Sequence, residues 1–451
     1  MSPRTTLIKP KAIVTMDSSR RVINGGGIFV TDNSITSVLT DDELRGGFIT
    51  DGDVIEAGDL IAIPGFVQTH IHLCQTLFRG LADDLELLDW LKLKIFPFEA
   101  AHSESSMRVS ALLGLGELIR SGTTTIMDMG SVHLEEEIVR AVEECGMRAF
   151  LGKAMMDVNN LYPPLKESTD LSISSTLRQA EQWHGMRDGR IRYAVAPRFV
   201  LSCSDALLKE AYALTRSFPG MLFHTHAAEN RHELEAVRAR CGMDNVEFFE
   251  SMGILHSNTC LAHCIWLNSS EVDLLARRDA RVLHCPSSNL KLGSGVARIP
   301  ELLGHGVCVS LGADGAPCNN SLDAFQEMRL AAMIQKPLHG ATAMDARTVF
   351  ELATREGAKA LGIGQETGSI EPGKKADLVL LDLDRIWNPC TNFDNVYSSI
   401  VYSASPENVH SVMIDGKWVF RDKAHQTIDE PSLVQAAHGE LRKLLGRVSH
   451  E

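Results

Sequence analysis

The stretch "PGFVQTHIHLCQ", Pro64–Gln75, sets two histidines one residue apart at the end of an apolar run, with a glutamine three positions further on. Successive side chains of a strand alternate between faces, so His70 and His72 project to the same side. A polar turn that closes a strand would carry such residues, and so would a metal site. What the chain places at the ends of its other strands decides between them.

Seven further segments read as strands: "GTTTIMDMG", "RAFLGKAMMD", "IRYAVAPRF", "GMLFHTHAAE", "NTCLAHCIWL", "ARVLHCPSSN" and "VCVSLGADG". Stretches with helical spacing separate them; in "LEEEIVRAVEECG", Ile138, Ala141, Val142 and Cys145 fall on one face. Eight strands alternating with helices over about 300 residues predict an α/β protein with a (β/α)8 TIM barrel, spanning residues 63–365. A doubly wound open sheet is the alternative, but no Gly-rich phosphate fingerprint follows the first strand, and "GGGIF" precedes no helix. Residues 1–62 and 366–451 have a different texture of short strands and turns. Gly25–Gly27 and Asp51-Gly52 supply turn chemistry, and Asp415-Gly416 is a hairpin signal. These flanks predict one small β-sandwich domain built from both termini, with a C-terminal helix.

Bulk properties narrow the function classes. The chain has 451 residues, 44% hydrophobic and 23% charged, which is ordinary for a soluble globular protein. A net charge of −14 with no basic cluster argues against nucleic acid and against an anionic membrane surface as partners. Long apolar runs are absent, and the first residues lack the apolar core of a secretory signal. Ten scattered cysteines read as reduced thiols of a cytoplasmic protein.

Polar residues crowd the strand ends. Strand one ends in His70 and His72, strand five carries His224, His226 and Glu229, strand six His263, strand seven His284 and strand eight Asp314. All sit at C-terminal ends, the face where such barrels do chemistry. One histidine at a strand end is more often a satisfied polar residue than a ligand, and His224 and His284 are read that way. Convergence changes the odds for the rest. Neutral imidazoles with a carboxylate and room for a water suit one divalent metal, zinc first and iron as the substitute. Two other patterns fail: "HSE" at His102 and "PC" at Pro317 lack the final Cys of a small zinc deaminase, and "HELEA" at His232 lacks the second His of a zincin.

With "PGFVQTHIH", "SGTTT", "HTHAAEN", "LAHC", "HCPSSNLKLGSG", "LGADGAPCNN" and "GSIEPGKKADLVLLD" in view, the chain resembles the amidohydrolase superfamily over essentially its whole length. The branch is that of nucleobase and nucleoside deaminases. The resemblance implies His70, His72, His226 and Asp314 as metal ligands, Glu229 as the proton-shuttling carboxylate, and His263 beside the attacking water, with Asp314 also catalytic in that it and His263 take the water's proton. It also implies a single metal, since "IRYAVAPRF" has no lysine where binuclear members carry one. The partners implied are a small amino-heterocycle and water, with a homo-oligomer by family analogy. Triazine-type hydrolases use almost the same site but usually lack the carboxylate at Glu229. Assembly proteins of this fold have lost ligands that are intact here.

The substrate is less legible. Gln75 and Arg198, in "APRFVLSCS", resemble the guanine deaminase pattern, whereas "SNLKLGSG" and "GADGAPCNNSLDAFQEMRLAA" resemble deaminases of 5′-deoxyadenosine, methylthioadenosine and S-adenosylhomocysteine. Trp90 and Glu99 match substrate-flanking positions in both groups. An arginine buried beside a base needs a carbonyl or an anion, or its donors go unpaired. On that ground the residues favour a 2-amino-4-oxo pyrimidine edge, as in guanine or isocytosine, with the adenosine-type substrate as the alternative.

Overall fold

The computed structural model describes residues 5–46, 52–389 and 393–448. Its eight barrel strands are Phe66–His72, Thr123–Asp128, Arg148–Leu151 (continued by Ala154–Met155), Ile191–Pro197, Leu222–Ala227, Thr259–His263, Arg281–His284 and Cys308–Leu311. They pair in parallel in chain order. The eighth closes the ring: its extension, Asp314–Gly315, pairs with the first strand at Ile71 and His72. Strands enclosed on both faces read as near-continuous apolar runs, and every residue of "TTTIMD", "RAFL" and "CVSL" is buried. The helix Glu135–Cys145 sets Ile138, Ala141, Val142 and Cys145 into the core, and Gly146, at φ 84°, ends it.

The terminal segments meet at one strand. Asp53–Pro64 lies parallel to Thr5–Val14 and antiparallel to Leu378–Leu381, giving a nine-stranded sheet from both flanks of the chain. The layers expected of a sandwich are thus joined by hydrogen bonds into one sheet, and Ile8, Ile28, Ile35, Leu378 and Met413 share its core. Asp415 and Gly416, at φ 49° and 74°, link Val409–Ile414 to Lys417–Arg421, as a two-residue hairpin turn requires. Asp51 of the expected Asp51-Gly52 turn and Cys390 lie outside the described residues; the nine described cysteines are free. The helix Glu430–Val448, grouped above with the terminal sheet, packs on the barrel instead: Leu444 joins Phe78 and Phe98, and Ser105 donates to Glu440 at 2.9 Å. Among the described residues no helix is long and apolar enough to cross a membrane.

Barrel and sheet are tied by a buried ion pair. Arg148, on the third barrel strand, donates from Nε and Nη2 to Asp377 at 2.7 and 3.1 Å, and both side chains are almost wholly enclosed. Removing one partner strands the other charge in a dry interior, at a cost of about 3–5 kcal/mol. Arg148→Met should therefore lower the urea midpoint of unfolding markedly; an unchanged midpoint would show the pair to be dispensable.

Candidate metal centre and substrate cleft

Two main-chain carbonyls orient the imidazoles at the barrel mouth. His72 Nδ1 lies 2.7 Å from the Met129 carbonyl oxygen, and His226 Nδ1 lies 2.7 Å from that of Arg198. A carbonyl only accepts, so each Nδ1 carries its proton and each Nε2 presents a lone pair. Those two Nε2 atoms face each other at 3.3 Å. Lone pairs so close repel unless a cation lies between them. Asp314 Oδ1 stands 3.4 Å from Nε2 of both His70 and His72. Ligand bonds of about 2.0–2.2 Å in a tetrahedron put neighbouring donor atoms about 3.3–3.6 Å apart. His70 Nε2 is buried with no hydrogen-bond partner, as a ligand nitrogen would be. His70, His72 and His226 form one group able to hold a divalent ion, and His70, His263 and Asp314 an adjoining one.

The surroundings fix this geometry. His70 Nδ1 pairs with His224 Nε2 at 2.7 Å, and Asp314 accepts from Ser288 Oγ at 2.6 Å and from the Gly315 amide at 2.8 Å. His263 turns Nδ1 to Asn289 Oδ1 at 2.8 Å, which leaves its Nε2 3.4 Å from Glu229 Oε2 and 3.9 Å from Asp314 Oδ2. The eighth strand passes so close to the first that a Cβ on Gly312 would stand 2.7 Å from the His70 carbonyl oxygen. Ala228, His263, Cys264 and Asp314 all have φ between 49° and 73°, a conformation that costs non-glycine residues energy. Strain gathers on the loops that aim Glu229, His263 and Asp314.

Electrostatics sort the groups. Burial, and then the charge of His70, hold His72 down at about 3; burial likewise depresses His70 and His226. All three are neutral at pH 7, as ligands must be. Burial alone would raise Asp314, but the imidazoles that face it, His70 first and then His263 and His72, outweigh it and hold the carboxylate well below its usual range. Glu229 goes the other way. Burial, then the charges of Asp314 and Glu233, push it well above that range. Two neighbouring carboxyl groups are thereby set in opposite states.

The substrate cleft opens above this group. A segment made of Leu87–Trp90, a π-helical turn Leu91–Ile95 and Phe96–Ala100 supplies Leu87, Trp90 and Leu91 to one wall; Phe199 and Arg198 line it from the fourth strand's end. Arg198 is buried, and its charge is already matched: Glu99 accepts from Nη1 at 3.1 and 2.8 Å and from Nη2 at 3.1 Å. Gln75 Nε2 donates to the same Glu99 at 2.9 Å. Gln75 and Arg198 therefore meet through Glu99, and neither Gln75 nor Glu99 lines the cleft. The need for a substrate carbonyl, argued from an unpaired arginine, disappears with that pairing.

Sequence reasoning missed several supports. His224, read as a satisfied polar residue, orients His70, and the repeated His-x-His of the fifth strand was its signal. His284 is buried with both ring nitrogens unpartnered. Ser288 and Asn289 lie in the quoted "HCPSSN" but had no assigned role. Glu233, which accepts from the Glu229 amide at 2.7 Å, gave no signal beyond its place in the helix.

A family model described as "Amidohydrolase family" matches residues 61–419. The chain belongs to the amidohydrolase family. Among amidohydrolases, the chain is 41% identical to the 5′-deoxyadenosine deaminase of Methanothermobacter thermautotrophicus over 428 residues, covering 94% of this chain and 96% of the relative. It is 35% identical to the 5-methylthioadenosine/S-adenosylhomocysteine deaminase of Syntrophomonas wolfei, covering 97% and 98%. Of solved structures, an adenosine deaminase from Xanthomonas campestris with bound zinc superposes with a TM-score of 0.91 at 30% identity, covering 98% of both chains. E. coli guanine deaminase gives 0.82 at 25%, covering 93% and 99%. This amidohydrolase is a hydrolase acting on C–N bonds.

Two outcomes follow for the metal centre. His224→Phe should weaken zinc retention about 10–100-fold in a chelator competition, because nothing then fixes His70 Nδ1. With His70, His72 and His226 all depressed, metal content should hold as the pH falls through about 6.5, the ordinary imidazole value; loss of metal there would mean ordinary imidazoles.

Proposed function

We propose that this protein is a zinc-dependent deaminase of 5′-modified adenine nucleosides such as 5′-deoxyadenosine or methylthioadenosine. Its 41% identity to a 5′-deoxyadenosine deaminase across 94% of the chain carries this reading. The buried Glu99–Arg198 pair supports it, since it removes the argument for a guanine- or isocytosine-like edge.

In this reading His70, His72, His226 and Asp314 hold the metal. A divalent ion in that position supplies Lewis acidity, lowering the pKa of a coordinated water to about 7. Everything else falls to the chain's own groups. Glu229, kept protonated by burial, donates to the ring nitrogen next to the amino-bearing carbon and makes that carbon electrophilic. His263 Nε2, with its lone pair directed into the site, accepts a proton as water attacks the carbon. The amino group takes the proton back from His263 and leaves as ammonia, while the hydroxyl proton returns to Glu229 and the carbon keeps the oxygen as a carbonyl. Trp90 and Arg198 wall the base, and Glu99 and Gln75 hold Arg198 in place.

Glu229→Gln should keep its metal but lose turnover about 10²–10⁴-fold, since an amide cannot give up the proton; near-normal turnover would assign the shuttle elsewhere. The substrate is tested by ammonia release from 5′-deoxyadenosine, methylthioadenosine, guanine and isocytosine. Adenine nucleosides should react and the two oxo-bases should not. Turnover of guanine or isocytosine alone would reverse the reading.

A further inference from the structure

Among the described residues lining the cleft, Arg198 is the only permanent cation, and Glu99 engages its guanidinium on both outer nitrogens while the Phe96 ring lies 5.0 Å beneath it. The lining carboxyl groups, Glu229 and Asp314, belong to the proton and metal machinery. What remains of the wall is Leu87, Trp90, Leu91 and Phe199. At the base of the overlying segment Asp83 pairs with Lys291, and Glu86 lies 3.5 Å from His232. Lys92, the next cation along it, is exposed and does not line the cleft.

From this we infer that the site selects among adenine nucleosides by the charge of the 5′ substituent. It accepts small apolar groups, hydrogen or methylthio, and discriminates against an amino-acid zwitterion such as the tail of S-adenosylhomocysteine. This rests on the adenine-nucleoside reading above and goes beyond it, because the relatives' names span both kinds of substrate. A methyl or methylthio group gains by leaving water for the Leu87–Leu91–Phe199 wall. An ammonium and a carboxylate entering the same space would lose their hydration, with no unpaired counter-charge among the described residues of that wall to meet them.

The test separates charge from length. Ammonia release by the metal-loaded enzyme is measured with 5′-deoxyadenosine, methylthioadenosine, 5′-butylthioadenosine and S-adenosylhomocysteine. The butylthio compound has a thioether chain close in length to the homocysteine tail, without its ammonium and carboxylate. Expected is a kcat/KM for S-adenosylhomocysteine at least about 100-fold below that for the butylthio compound, with the latter close to methylthioadenosine. Equal values for the charged and uncharged long tails overturn the inference and leave the nucleoside reading intact. Equal rejection of both overturns it in favour of length. If no adenine nucleoside reacts, the nucleoside reading falls and takes the inference with it. As a second readout, Glu99→Gln should raise the ratio of S-adenosylhomocysteine to 5′-deoxyadenosine turnover by freeing the guanidinium charge. A ratio unchanged by Glu99→Gln would show that matching Arg198 is not what excludes the zwitterion.

Discussion

Two imidazole nitrogens held 3.3 Å apart, each made a lone pair by a carbonyl bound to the opposite side of its ring, define the centre of this molecule. Neither histidine can turn away without giving up a buried hydrogen bond, and neither can take up a proton cheaply in so dry a place. The carbonyls belong to Met129 and Arg198, just past the ends of the second and fourth strands. Each carbonyl comes from the strand beside its own histidine's, so neighbouring pairing sets the tautomers. The closed ring adds what an open sheet could not: it brings the rings of the first and fifth strands face to face.

The same economy appears on the substrate side. Arg198 holds His226 through its main-chain oxygen and Glu99 through its side chain, so one residue links a metal-facing ring to the segment that walls the cleft. Glu99 accepts on Oε1 from both outer nitrogens of Arg198 and from Gln75. The pairing makes a strongly basic side chain electrostatically quiet, and the Phe96 ring beneath it adds to that enclosure. Close by, Glu229 and Asp314 share one small volume in opposite protonation states: burial, then neighbouring carboxylates, raise Glu229, while the facing imidazoles overcome burial and lower Asp314.

Much of this was legible in the chain. The eight strands, their order and the C-terminal placement of His70, His72, His226, His263 and Asp314 follow from alternation and from the cyclic order of polar strand ends. The Asp415-Gly416 hairpin follows from turn chemistry. What stayed hidden has a common cause. The groups orienting His72 and His226 are carbonyls, which every residue owns, so no letter marks them. Gln75 and Arg198 were expected to meet at the substrate, but Glu99, on a helix 24 and 99 positions from them, stands between. Long-range pairing of this kind depends on how a π-helical turn lays one segment over the barrel mouth, and no periodicity announces that. The argument for an oxo-base substrate lost its ground at the same point: an arginine with an internal anion no longer needs an external one.

The strand Asp53–Pro64 runs directly into Phe66–His72, and its second sheet neighbour, Leu378–Leu381, lies more than 300 residues later in the chain. During synthesis the entire barrel sequence emerges before that neighbour does. Until then the root of the histidine-bearing strand keeps one open edge, with amides and carbonyls free to pair with whatever strand is near. Such distant pairing is slow to form. The newborn chain is thus most exposed to mispairing at the stretch that leads into its metal site, and its last sheet contact is also the one that secures it.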